Sequence, residues 1–331
     1  MSRAAGDTAQ ARRLLTEAEG LIGQLREEWQ RFSTTEDLAL AWARIEVGRA
    51  EFLIASPLGR GPFDEYLIKD VVGVIAETDP ERAELLSRRV PDTETDAIVA
   101  VADGLLTVAT DRAERVARSV PTRCEDWEFA LSEFVVRIAE VDRFAAERIA
   151  SCLPADVRNE ALVPVVTAHA SVDPAHAEDL ARTISDDDEA LVGALAAVAA
   201  GYADSRPMEA RRTLEEARQL AHRLSDSGFA RVTGLIAVGA AAARIDPATA
   251  AEILREAEPL ARAIEARWKS SRMKALEDLA AAWALVDAAQ AERIVRSTPE
   301  IDGWRRTDLL LAIAEEAARR HGLPLRPAPK D

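Results

Sequence analysis

Aromatic side chains are scarce, at 5% of 331 residues with only two tyrosines, and Ala, Leu, Arg and Glu dominate instead. The thin class is one that builds strands, and the abundant residues lose little freedom on entering a helix, so no strand is expected. Cysteine is nearly missing. Cys124 and Cys152 have no CxxC spacing and are too few for a disulfide framework, so they read as ordinary thiols of a reducing compartment. Lysine is rare: only Lys69, Lys269, Lys274 and Lys330 among 42 basic residues, a skew we attribute to GC-rich bacterial coding. No window approaches the eighteen uninterrupted apolar residues of a membrane span, and the opening MSRAAGDTAQARRLL lacks the apolar stretch of a signal peptide. The expected compartment is the cytoplasm. Positive charge is also in deficit, 42 Lys and Arg against 58 Asp and Glu for a net −16, so the surface repels polyphosphate and anionic lipid. That argues against nucleic-acid and membrane partners.

Enzyme signatures are absent from the sequence. The phosphate-loop, dinucleotide and nucleophile-elbow patterns GxxxxGK[ST], GxGxxG and GxSxG do not occur. Four histidines, His169, His176, His222 and His321, form no HExxH or paired i, i+4 ligand arrangement, although His169 and His176 flank an expected turn and can approach each other. No catalytic, cofactor-binding or metal-binding residue is assigned, and no cofactor is expected.

What the chain does contain is repetition. An octet of the form Ala-Glu-x-Leu-Ala-Arg-x-Ile, with Leu, Ile and Val interchangeable, starts at Ala83, Ala113, Ala146, Ala177, Ala257 and Ala291, with weaker copies at Ala18, Ala50 and Ala217. The intervals are 32, 33, 30, 33, 31, 40, 40 and 34 residues, a period suited to a two-helix unit. Apolar residues at relative positions 0, 3, 4 and 7 put one greasy stripe on a helix, called helix B. Five copies place Glu four residues before Arg on the other face, at 84/88, 114/118, 178/182, 258/262 and 292/296, which reads as solvated surface pairing.

Start and stop signals frame helix B. Asp79, Asp142, Asp173 and Asp287 stand four residues ahead of the marker alanine, two of them followed by proline, which suits N-caps. Pro91, Pro121, Pro154 and Pro299 close the helix eight residues after it. A more apolar segment before each helix B, such as Leu276, Leu279, Ala280 and Trp283, is expected to be helix A, clasped between neighbouring units. Three copies start their helix B about two turns earlier, over Asp7 to Ala18, Pro207 to Ala217 and Asp246 to Ala257. Residues 7–320 are therefore expected to form one repeat domain, with long-helix repeats at 186–265 and unordered tails at 1–6 and 321–331. PLGRGP at 57–62 reads as a loop. The acidic turn Asp186, Asp187 and Asp188 lacks the DDxxD spacing of a magnesium site and sits where a helix begins, which favours dipole complementarity.

This layout resembles the alpha-solenoid families, chiefly tetratricopeptide-like and HEAT-like arrays, over essentially the whole chain. The tetratricopeptide signature itself is not met. The resemblance implies an all-α, right-handed α-solenoid of about nine antiparallel hairpins with an extended groove for protein or peptide. A non-catalytic scaffold whose acidic groove takes a protein or a basic peptide is the expected function. A helical-repeat enzyme or biosynthetic accessory protein with a concave pocket, and a peptide-sensing regulator, are the alternatives. Trp127, Trp268 and Trp304 recur at the starts of helices A, either wedged between units or anchoring a partner. Together with Asp186, Asp187 and Asp188 they are the candidate partner-binding residues.

Overall fold

A computed structural model describes residues 2–55, 64–88, 94–120, 127–225, 229–265, 268–301 and 303–320. The expected loop at 57–62, Pro91, Pro121, Cys124 and the tail at 321–331 lie outside them. Among the described residues, eighteen α-helices and one short 3-10 turn make up the regular structure, with no strand. No helix there is long and apolar enough to cross a membrane.

The chain divides into two compact units, Met1–Ala161 and Leu162–Asp331. The first holds α1 (Ser2–Leu21), α2 (Glu28–Ala43), α3 (Val47–Ala55), α4 (Asp64–Ala76), α5 (Pro80–Ser87), α6 (Glu94–Leu105), α7 (Thr110–Ala117), α8 (Trp127–Val141) and α9 (Arg143–Ala150). The boundary falls inside α10 (Ala155–Ala170). The second holds α11 (Pro174–Ala181), α12 (Asp188–Tyr202), α13 (Pro207–Arg223), α14 (Phe229–Ile245), α15 (Pro247–Ala263), α16 (Lys269–Ala284), α17 (Ala288–Ser297) and α18 (Gly303–Arg320).

Within each unit the helices pack in neighbouring pairs, helix A with the helix B that follows, as in α6 with α7 or α14 with α15, and helices A also pack on one another, α2, α4, α6 and α8 in the first unit and α12, α14, α16 and α18 in the second. Burial follows the asymmetry of the sequence. In α6 the six consecutive residues Ala97 to Ala102 are all buried, whereas α5 hides only Ala83, Leu86 and Ser87. A helix clad on nearly all sides needs apolar residues around its circumference, and one against a single neighbour needs a stripe.

The corner joining A to B is built the same way eight times. The amide of residue 46, 79, 109, 142, 173, 206, 246 or 287 donates to the carbonyl four residues earlier, over 2.6–2.8 Å. The carbonyl acceptors belong to Trp42, Ile75, Leu105, Ile138, His169, Tyr202, Ala242 and Trp283, none more than 3% exposed. The donor residue then swings to extended backbone, φ −143° and ψ 95° at Asp142, which ends one helix and lets its own carboxylate start the next. Asp142 accepts from the amides of Phe144 and Ala145 at 3.0 and 3.1 Å. Asp79, Asp173, Asp246 and Asp287 accept in the same manner, satisfying amides that the helix start leaves open. Ala109 and Arg206 occupy this place without a side-chain cap.

The long-helix repeats are as expected from their early starts. α13 and α15 each have 17 residues against 8 in α5, α7, α9 and α11, a difference worth about 13 Å of rise. Their helices A are long enough to match, with 15 residues in α12 and 17 in α14.

Candidate functional site

The octet glutamates fix which polar groups are left for function. Among the described residues, four of the five expected i, i+4 pairs form, all but Glu84 with Arg88, and most octet glutamates also take an arginine one repeat away, which the reading of solvated surface pairs did not include. Glu19 accepts two bonds from Arg49 at 2.5 and 3.0 Å, Glu51 pairs with Arg82, and Glu84 accepts from Arg112 at 2.7 Å. Glu114 takes Arg148 in two parallel bonds of 2.6 and 2.8 Å, nearer than Arg118 at 3.5 Å in its own helix. In the second unit Arg212 reaches Glu178 at 2.6 Å and Arg293 reaches Glu258 at 2.7 and 3.0 Å. The i, i+4 partners of Glu178, Glu258 and Glu292 are present as well, at 3.3, 3.0 and 2.7 Å. The Glu114 side chain is only 10% exposed, so the rungs are clasped between successive helices B.

Glu178 gathers the densest set of donors. Arg182, Arg212 and the Tyr202 hydroxyl, the last at 3.0 Å, all donate to its carboxylate, and Arg182 also pairs with Glu216. Burial pushes the Glu178 carboxyl upward, but the three hydrogen bonds outweigh it and hold it below the usual carboxylate range. Burial and then the bond to Glu178 raise the Tyr202 phenol. Such a carboxylate is fixed in its ionised form and saturated with donors, the condition of a brace; a general base is tuned toward the working pH instead. His169, buried, meets His176 edge to face with ring centres 4.6 Å apart, as their flanking of one turn suggested.

The residues nominated for partner binding divide. Asp187 is an N-cap, its carboxylate accepting from the Ala190 amide at 3.0 Å, and Asp188 lies in the first turn of α12. Asp186 takes φ 59°, in the left-handed region, so the chain turns sharply into the helix. Asp186 and Asp188 are exposed. In the first unit Trp127 opens α8 half-buried. In the second, Trp268 is the N-cap residue of α16 and Trp304 the second residue of α18, two helices A packed side by side. The two residues are 58% and 64% exposed. The Arg305 guanidinium lies 5.1 Å from the Trp304 ring centre and braces it by a cation–π contact. The first turns of α16 and α18 hold no acidic residue.

A second feature was not singled out in the sequence. Glu36 and Asp37 on α2 and Asp70 on the neighbouring α4 form a cluster of like charge, and desolvation followed by repulsion from Asp70 and Asp37 pushes the Glu36 carboxyl upward. The spacing of 33 residues between Asp37 and Asp70, one repeat, was the available signal. No protein-family model and no curated protein matches this chain.

Proposed function

We propose that the protein is a non-catalytic binding scaffold for a protein or peptide segment, each unit a run of antiparallel hairpins of the α-solenoid kind, about nine in all. The observation that carries this reading is the pair Trp268 and Trp304, each more than half exposed at the start of adjacent helices A. Exposing two indole rings at the starts of adjacent helices forgoes several kcal/mol of burial, about 1.5–3 kcal/mol for a large apolar side chain, and tryptophan is among the residue types most enriched where partners anchor. The like-charged Glu36, Asp37 and Asp70 support a basic partner segment, which relieves their mutual repulsion.

The test compares the full chain with the W268A/W304A variant as bait in a native lysate. Both rings are exposed, so circular dichroism and Tm are expected to match. The wild type is expected to retain one stoichiometric partner that elutes with salt and that the variant loses at least tenfold. A wild type that retains nothing, or a variant that retains the same partner equally, overturns the reading.

A further inference from the structure

Between α15, α17 and α18 the second unit holds a cavity of about 660 Å³. Its walls combine two chemistries. Trp283, Val286, Ala251 and Ala317 provide an apolar body, while Arg255, Arg293 and Arg320 bring three guanidiniums against one carboxylate, that of Asp287. This local excess of positive charge stands out in a chain with 58 acidic and 42 basic residues. Arg293 is committed to Glu258, and Asp287 is committed to the amides of Ala289 and Gln290. Arg255 and Arg320 are different. Both are exposed, and among the described residues neither has a carboxylate in ion-pair reach; Arg320 touches only the Ala284 carbonyl, at a long 3.5 Å. Elsewhere among the described residues of this unit Arg182, Arg212, Arg244, Arg262 and Arg272 hold carboxylates while Arg211 and Arg218 do not, so it is their place on the cavity that sets Arg255 and Arg320 apart.

We propose that this cavity binds a small organic oxyanion, a phosphate or carboxylate group carried on an apolar body. The volume lies in the usual range of small-molecule sites, about 300–1,000 Å³, and its half-open, more polar than apolar lining suits a charged head group. A guanidinium offers two parallel donors that match the two oxygens of such a group, and two guanidiniums on one cavity suit a dianion better than a point charge would. The open apolar surface comes from the half-buried Ala251, Val286 and Ala317, with the rigid, nearly buried Trp283 at its edge. The α17 amides are already capped, so Arg255 and Arg320 supply the recognition.

Phenyl phosphate is the probe, with benzoate and inorganic phosphate as arms that separate the head groups and the ring, titrated calorimetrically into the full chain at 0.15 M salt. Saturable one-to-one binding of phenyl phosphate or of benzoate is expected, and the tighter of the two identifies the head group. The R255A/R320A variant is expected to lose at least tenfold in affinity, and R255K/R320K, which keeps the charge without the planar fork, several-fold. The double variant R44A/R115A, at two exposed arginines of the other unit, leaves binding unchanged and controls for net charge. W268A/W304A also leaves it unchanged, which keeps this site separate from the scaffold reading. Absence of saturable binding by all three probes, or equal binding by R255A/R320A, overturns the proposal.

Discussion

Asp142 shows how much one side chain decides. Its amide closes the last turn of α8 and its carboxylate opens the first turn of α9, so a single residue terminates one helix and nucleates the next. Replacing it with alanine is expected to cost about 1 kcal/mol, within the 0.5–2 kcal/mol typical of lost N-caps. The reverse substitution at the uncapped equivalent, Ala109→Asp, is expected to stabilise by about 0.5–1 kcal/mol; urea unfolding of both variants checks the pair, and a destabilised Ala109→Asp would mean the corner does not tolerate the carboxylate there. Gly104 and Gly201 are the opposite kind of residue, needed for what they lack. A β-carbon on Gly104 would overlap the carbonyl oxygen of Gly73, and one on Gly201 that of Ala170, each on the neighbouring helix A. Gly104→Ala and Gly201→Ala are expected to destabilise by about 1–3 kcal/mol despite the better helix propensity of alanine, read as a lower denaturation midpoint. The caps were legible in the sequence because they act over three residues of chain. The glycines were not, since only the approach of another helix gives them their meaning.

Single helices carry a second lesson, in the octet glutamate. Spacing of four residues identifies Glu114 and Arg118 as neighbours on one helix face, and they are, at 3.5 Å. The stronger bond goes to Arg148 on the next helix B, in a two-pronged geometry that the one-helix view cannot supply. Glu114→Ala is expected to cost about 1.5–3 kcal/mol, the range for hydrogen bonds to charged groups, whereas Arg118→Ala stays within about 0.5 kcal/mol, as exposed pairs usually do. Chemical denaturation of the two variants separates them, and similar losses would restore the surface-pair reading. The lengths of α13 and α15, by contrast, were readable from the early Asp or Pro start alone, because a helix continues until something stops it.

Over the whole chain the carboxylates give stability a pH dependence of definite sign. Hydrogen bonds from Arg148, Arg182 and Arg293 lead in lowering Glu114, Glu216 and Glu258, and Glu178 is lowered against its burial by Arg212, Tyr202 and Arg182. Each contributes stability that is complete above the ordinary carboxylate value of 4.5 and is lost as pH falls through the folded-state value, because the unfolded chain takes up protons first. Glu36, raised by desolvation and by Asp70 and Asp37, works the other way and disfavours the folded state as it ionises. The four lowered groups outnumber it, so the unfolding free energy is expected to fall steeply below about pH 4.5, and E114Q/E258Q to show a lower neutral stability with a shallower acid slope. An unchanged slope would mean the ladder is not the source.

The sequence by itself determined the helical class, the repeat, the A-to-B corner and most of its caps, because each is set by contacts within a few residues of chain. The tertiary structure alone decided the partner of each octet glutamate, the need for glycine at 104 and 201, the exposure of Trp268 and Trp304, and the gathering of Arg255, Arg293 and Arg320 around one cavity. Those depend on how one helix is rotated and set against the next, some 30 residues away, and local spacing carries no record of that angle.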